Sequence, residues 1–472
     1  MKVLGKIYCE NVIQKISPLM RLTIQLVLGF YFFITACAAQ QKATIISGRK
    51  LKFDFGSGKT PAGYTGVSAT SSYSDEVGYG FENGAIVTDI KRGGANALQD
   101  AFVTGKKPFF FSAKVPEGDY NVKVTIGDRQ GTADVAIRAE CRRMMVNRLQ
   151  TKKGEIKTVT FTLHIRDSII RNANGATGKV RIKPRERQYL HWDNKLTLEF
   201  NGEEPKILAI EITPAAATTV TMFLAGNSTE VDQAEEPYAA WGQMIPAFFV
   251  PEKIAVANYA ESGEALSSFI AERRFEKMLS LMKAGDYAFV QFGHNDMKQK
   301  GPGIGAFTSF KKDLKYFIAE VKRKGAIPLL VTSMQRRSFD STGKIRETLE
   351  DYPAAVRQTA KEENTALIDL NAMSKTMYEA WGPKESIKAF VHFPANTFPN
   401  QKNELKDDTH FTPFGAYEIA KIIVKGIRES KLTLANLIKP GTPVFDPARP
   451  DSFSSFYWPY SPIVASAKPD GN

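Results

Sequence analysis

The chain has 472 residues, of which 43% are hydrophobic and 24% charged, with no sequence repeat and no low-complexity tract. That is ordinary globular composition, and at this length two domains, each burying its own core, are the first expectation. The formal net charge of +13 is unevenly spread. Positions 41–210 hold 28 Lys and Arg against 18 Asp and Glu, whereas from position 211 onward 31 balance 31. Such a field concentrates polyanions, although a solvated basic face that aids solubility is the simpler account.

Residues 1–40 read as an export signal. Lys2, Lys6, Lys15 and Arg21 precede an apolar run, Leu22 to Ile34, which is short for a membrane span but right for the hydrophobic region of a signal peptide. Ile34-Thr35-Ala36-Cys37 resembles the bacterial site at which cleavage leaves a lipid-modified cysteine. That makes Cys37 a candidate lipid anchor, with ordinary cleavage around Ala36–Ala39 as the alternative. The expected location is the periplasm or cell surface. Cys9 is lost with any signal, so Cys141 has no partner for an internal disulfide and reads as a small buried residue.

Residues 41–212 read as an all-β sandwich. Short alternating runs at Leu51–Phe55, Phe109–Ala113, Tyr120–Ile126, Thr158–Leu163 and Leu196–Phe200 are separated by turn residues. The basic run Arg181-Ile-Lys-Pro-Arg-Glu-Arg187 reads as a solvated edge strand, with a grip on acidic sugars as the alternative. Residues 213–432 change texture. Apolar strands are expected at Thr219–Leu224, Ile254–Asn258, Tyr287–Phe292, Ile327–Thr332 and Ala366–Leu370. Helical spacing is expected at Leu266–Met282, Phe310–Arg323, Tyr352–Glu362 and Phe414–Arg428. This alternation implies a parallel sheet covered by helices on both faces, with ligands beyond the carboxyl ends of its strands. Residues 433–472, rich in Pro and aromatics, read as a tail wrapping the domain.

Four signatures lie in order along the second half. Ser228 follows the first strand in Ala225-Gly-Asn-Ser-Thr229, and Gly263 follows the second. Asn295 follows the third in Gly293-His-Asn-Asp296, and His410 closes Asp407-Asp-Thr-His410. A serine hydroxyl is a weak nucleophile until a base takes its proton, and His410 is the candidate base, opening a helical segment. Asp407 is the candidate orienter of its imidazole, and Asp408 is a rival that reads instead as pointing away or capping the helix starting near Pro413. The backbone N–H groups of Ser228 and Gly263 and the Asn295 side-chain amide would receive negative charge developing on a carbonyl oxygen. His294 is a candidate substrate contact. Each residue alone has a commoner structural explanation in turns, caps or core; together, in order and at strand ends, they point to acyl transfer. No metal or cofactor is expected, because there is no His-Glu-X-X-His, no cysteine pair and no phosphate loop, and His164, His191 and His392 lack partners at ligand spacing.

These four blocks resemble those of the SGNH hydrolases, also called GDSL-type esterases. Phe223-Leu-Ala-Gly-Asn-Ser-Thr229, Trp241-Gly-Gln-Met-Ile-Pro246, Gln291-Phe-Gly-His-Asn-Asp296 and Asp407-Asp-Thr-His-Phe-Thr412 are similar to bacterial rhamnogalacturonan acetylesterases of carbohydrate esterase family twelve. The usual Gly-Asp-Ser stands here as Gly226-Asn227-Ser228, and Asn keeps one acceptor oxygen. The resemblance implies an α/β, flavodoxin-like three-layer domain preceded by a β-rich accessory module that binds carbohydrate. It implies removal of acetyl groups from an acidic pectic polysaccharide, without a cofactor and without a nucleic-acid partner. An esterase on another glycan such as xylan, a lipase or thioesterase of the same superfamily, and an inactive polysaccharide-binding lipoprotein are the alternatives.

Overall fold

In the computed structural model the residues described are 50–82, 84–172 and 175–464. The expected signal segment with Cys9 and Cys37, and the last residues of the tail, lie outside them. Two sheets face each other in the first half, antiparallel except that Leu51–Phe55 and Thr65–Val67 pair in parallel. One runs Ile156–Ile165, Gly118–Gly127, Lys206–Pro214, Leu51–Phe55, Thr65–Val67, with Ala101–Gly105 joined to Lys206–Pro214 and Val87–Lys91 beyond it. The other runs Tyr79–Phe81, Phe109–Lys114, Lys195–Glu204, Ala133–Ala139, Arg143–Thr151. Alternating inward residues such as Phe53, Phe55, Phe111, Val122, Val124 and Leu198 form one apolar core between them, the arrangement a period of two dictates.

The second half is built on five parallel strands in the order Ile254–Asn258, Val220–Ala225, Tyr287–Val290, Ile327–Val331, Ala366–Ile368. In chain sequence this is 2-1-3-4-5, so the order reverses between the first and third strands, where a crevice opens at the carboxyl ends. Side chains alternate to two cores. Met222, Leu224 and Phe289 face the long helix Pro413–Glu429 and the helix Leu370–Glu385, whereas Phe223, Ala225 and Val290 face Lys311–Arg323 and Tyr352–Glu362. Apart from Thr221 and Asn258 the strands are apolar along their length, because both faces are covered.

The single helix expected over 266–282 is two, Leu266–Ala271 and Arg274–Leu281. Arg273 takes φ 65 between them, a left-handed residue that ends the first helix. The freed carbonyl of Glu272 accepts the backbone N–H of Arg181 from the β-rich half at 2.9 Å. The C-terminal segment bonds to Glu236. Trp458 Nε1 donates to Glu236 at 2.8 Å, and the carbonyl of Ile463 accepts the N–H of Glu236 at 2.9 Å.

Three arginines of the first half are paired inside the protein. Arg143 donates to Asp232 at 2.6 and 3.0 Å, Arg142 meets Glu236 at 2.5 Å, and Arg138 meets Glu199 at 2.9 Å, all of them buried. Arg138 also stacks on the Trp458 ring at 3.7 Å. Cys141 is buried and free, and burial pushes its thiol well above the ordinary value.

Candidate active site

Ser228 stands in the turn that ends strand Val220–Ala225. Glu230 shapes this turn: its Oε2 accepts the N–H of Asn227 at 2.7 Å and its Oε1 the hydroxyl of Thr229 at 2.6 Å, with Trp241 and Gln291 donating to the same oxygen. Burial raises the Glu230 carboxyl to about 8. Gly226 is required because a Cβ there would lie 2.4 Å from that carboxyl. Asn227 keeps the acceptor role anticipated for it, its Oδ1 taking the N–H of Thr229 at 3.2 Å.

Asp407 and His410 lie on strand Leu405–Phe411, paired with Phe390–Phe393, and not on a loop opening a helix. Phe390 pairs with Phe411 while its neighbour Val391 pairs with Asp407. Residues 408–410 are therefore left out of the register as a three-residue bulge, a device that re-aims side chains out of a regular ladder. The Asp407 carboxylate folds back on the bulge. Its Oδ1 accepts the backbone N–H groups of Thr409 at 2.9 Å and His410 at 3.0 Å, and its Oδ2 meets His410 Nδ1 at 2.7 Å. His410 Nε2 lies 2.8 Å from Ser228 Oγ. Ser228, Asp407 and His410 are 3%, 2% and 1% exposed, so solvent does not compete for these bonds.

Burial alone would raise the Asp407 carboxyl, but the hydrogen bond and charge of His410 and the two backbone donors outweigh it and hold it down to about 2. An ionised carboxylate only accepts. In the neutral form of the ring Nδ1 therefore carries the proton toward Asp407, and Nε2 is the acceptor for the Ser228 hydroxyl. Of the two readings offered for Asp408, the structure bears out the first: it points away from the His410 ring and does not cap the helix. Thr412 caps it, accepting the N–H of Gly415 at 3.3 Å, while Asp408 pairs with Arg337 at 2.9 Å and His392 at 2.8 Å.

The three proposed oxyanion donors sit on adjoining loops. Glu261 N–H donates to the carbonyl of Gly226 at 3.2 Å, joining the Gly263 loop to the serine turn. Asn295 Nδ2 donates one hydrogen to the carbonyl of Glu264 at 3.0 Å, leaving the other. Asp296 fixes that loop by accepting the N–H groups of Gly293 and Leu266, each at 2.8 Å, and burial raises its carboxyl to about 7. Gly263 has φ +81, so the backbone itself demands glycine. His294 is 2% exposed, and neither ring nitrogen has a partner among the described residues. Burial, then the charges of Arg336 and His410, holds it well below its ordinary value, so the ring is neutral.

Of the histidines set aside in sequence, His164 and His392 acquire hydrogen-bond partners through folding, whereas neither ring nitrogen of His191 has one among the described residues. His164 bridges Asp119 at 2.6 Å and Tyr259 at 3.1 Å. His191 comes beside Glu186 and Glu261, with one possible ligand atom of each within 4.8 Å of the others. Both carboxylates are already held by guanidinium groups, Glu186 by Arg274 and Glu261 by Arg185, which leaves this trio poorly suited to a cation. The basic run 181–187 is not a solvated edge strand. Pro184–Gln188 forms a short 3-10 turn, Glu186 is fully buried, and Lys183 and Arg185 reach the Gly263 loop. Glu230 and this pair of cations were missed in the sequence; Glu230 alone left a local trace, as an acid two residues after the serine.

Residues 223–416 match the model of the GDSL-like lipase/acylhydrolase family. A rhamnogalacturonan acetylesterase of Bacillus subtilis, RhgT, is 42% identical over 217 residues, 46% of this chain and 92% of that protein. The chain belongs to this family, the SGNH hydrolases. It is a serine-dependent ester hydrolase. Residues 51–179 match a beta-agarase/YXIM esterase-like, galactose-binding domain-like model. An uncharacterized esterase of the same bacterium, YxiM, is 30% identical over 348 residues, covering 72% of this hydrolase and 84% of YxiM. The crystal structure of YxiM superposes with a TM-score of 0.43 at 26% identity, covering 81% of this chain and 99% of that one.

Proposed function

We propose that this protein is an exported carbohydrate esterase that removes O-acetyl groups from pectic rhamnogalacturonan through a Ser228–His410–Asp407 triad. The observation that carries the reading is the continuous line from Asp407 Oδ2 through the His410 ring to Ser228 Oγ, at 2.7 and 2.8 Å. Ser228 Oγ attacks the acetyl carbonyl as its proton passes to His410 Nε2. Charge on the carbonyl oxygen is received by the N–H groups of Ser228 and Gly263 and by the Asn295 amide. His410 then protonates the departing sugar oxygen. Water, deprotonated by the same nitrogen, cleaves the acetyl-enzyme to acetate and restores the serine.

The choice of polysaccharide rests on the likeness to RhgT, and the basic first half is compatible with a uronate-bearing polymer. The first 40 residues support export, and mass analysis of the mature N-terminus would separate a lipidated Cys37 from plain cleavage. Ser228→Ala should abolish acetate release while the circular dichroism spectrum is unchanged; full turnover in that variant refutes the mechanism. Release rates from acetylated rhamnogalacturonan, acetylated xylan and an aryl acetate test the substrate. Preference for xylan would overturn the pectic assignment and leave the chemistry standing.

A further inference from the structure

We propose that Lys183 and Arg185, carried by the β-rich half, are positioning residues for the oxyanion site of the hydrolase half. They act by gripping the peptide that bears the Gly263 N–H. This rests on the assignment of Gly263 as an oxyanion donor. Lys183 Nζ donates to the carbonyl oxygen of Ser262 at 2.6 Å, and Arg185 Nη2 donates to the same oxygen at 2.8 Å. The peptide unit is planar and trans, so its C=O and N–H point in opposite directions. Fixing the Ser262 oxygen from one side therefore fixes the direction of the Gly263 hydrogen on the other. Two cationic donors on the oxygen also polarise the amide and strengthen its N–H as a donor.

Gly263 needs such a restraint. It sits at φ +81, has no side chain to pack, and its N–H reaches no acceptor among the described residues. A glycine peptide in that state can rotate, and a donor that wanders loses the preorganisation on which charge stabilisation depends. The cations themselves are anchored. The turn Pro184–Gln188 carries Arg185 and is entered at Lys183, whose backbone N–H donates to Glu186 at 2.7 Å. Glu186 is in turn clamped by Arg274 at 2.5 and 3.0 Å and by Trp192 Nε1 at 2.8 Å.

Charge balance distinguishes positioning from a long-range field. Arg185 also pairs with Glu261 at 2.6 Å and Lys183 with Glu264 at 2.5 Å, so each cation meets an acid of the very loop it grips. Glu264 in turn offers its carbonyl to Asn295, so the grip extends to the third proposed donor. On this reading the β-rich half is more than a glycan-binding appendage: it completes the oxyanion site.

The test uses the full chain with Lys183→Met, Arg185→Met and the double replacement, assayed on an aryl acetate too small to reach any distant glycan contact. The double variant should lose between about tenfold and hundredfold in kcat with KM little changed, less than the loss of a whole donor. Affinity for phenylboronic acid, which forms a tetrahedral adduct on the serine, should fall in parallel. Arg185→Lys, which restores a donor, should recover part of kcat. A folded double variant with wild-type kcat overturns the proposal, as does a loss confined to KM. Should the double variant not fold, the single variants decide: each is expected to lose several-fold in kcat, and wild-type kcat in both overturns it. Activity remaining in Ser228→Ala would instead overturn the underlying triad reading, so the two failures are distinguishable.

Discussion

Asp407→Asn changes one atom and tests the direction of the proton relay. The replacement keeps an oxygen able to accept the N–H groups of Thr409 and His410, so both backbone bonds to this side chain survive and the register of the strand should persist. The bond to the ring reverses. An amide NH₂ facing His410 Nδ1 forces the ring proton to Nε2, which then confronts the Ser228 hydroxyl as a donor and cannot take its proton. The expected fall in kcat is about 10⁴-fold, roughly 5 kcal/mol of barrier, by analogy with the same change in a serine protease triad. Stability changes too. A carboxyl held at about 2 against an ordinary 3.8 corresponds to about 2–3 kcal/mol favouring the ionised folded form. Because the folded value is depressed, that stabilisation is complete above the unfolded value and is lost as pH falls from about 4 toward about 2. Urea denaturation across acid pH should therefore show a steeper loss in wild type than in the Asn variant. Initial rates on an aryl acetate supply the kinetic measurement. A folded Asn variant within about tenfold of wild-type kcat would refute the assigned relay, since that leaves under 2 kcal/mol for the tautomer to explain.

Two further outcomes follow from the same geometry. Gly263→Ala places a side chain at φ +81, which should cost about 1–2 kcal/mol in denaturant unfolding and lower kcat more than it raises KM; an unchanged Cm together with unchanged kcat would contradict the strained, donor-bearing loop. Arg143→Met leaves Asp232 buried without its partner between the two halves and should cost about 3–5 kcal/mol, whereas adding Asp232→Asn should recover part of the loss; equal stability of wild type and single variant would show the pair to be inconsequential.

The sequence alone determined the fold class and the chemistry. A period of two marks the strands at Leu51–Phe55 and Tyr120–Ile126, continuous apolar runs mark the parallel strands, and Tyr352–Glu362 matches its expected bounds, because local periodicity reflects which faces are covered. Ser228, Asp407 and His410 were legible as candidates because small residues at strand ends and an acid three residues before a histidine are local patterns. Tertiary structure decided how those groups are aimed. The bulge at 408–410 depends on register against Phe390–Phe393, which no local pattern specifies. The break at Arg273 is met by Arg181 from more than ninety residues away. Charge shows the same division. Composition counts cations, but whether Arg143, Lys183 or Arg185 faces solvent or an acid of the other half depends on long-range packing, because attraction acts through space and falls with distance between side chains rather than along the chain.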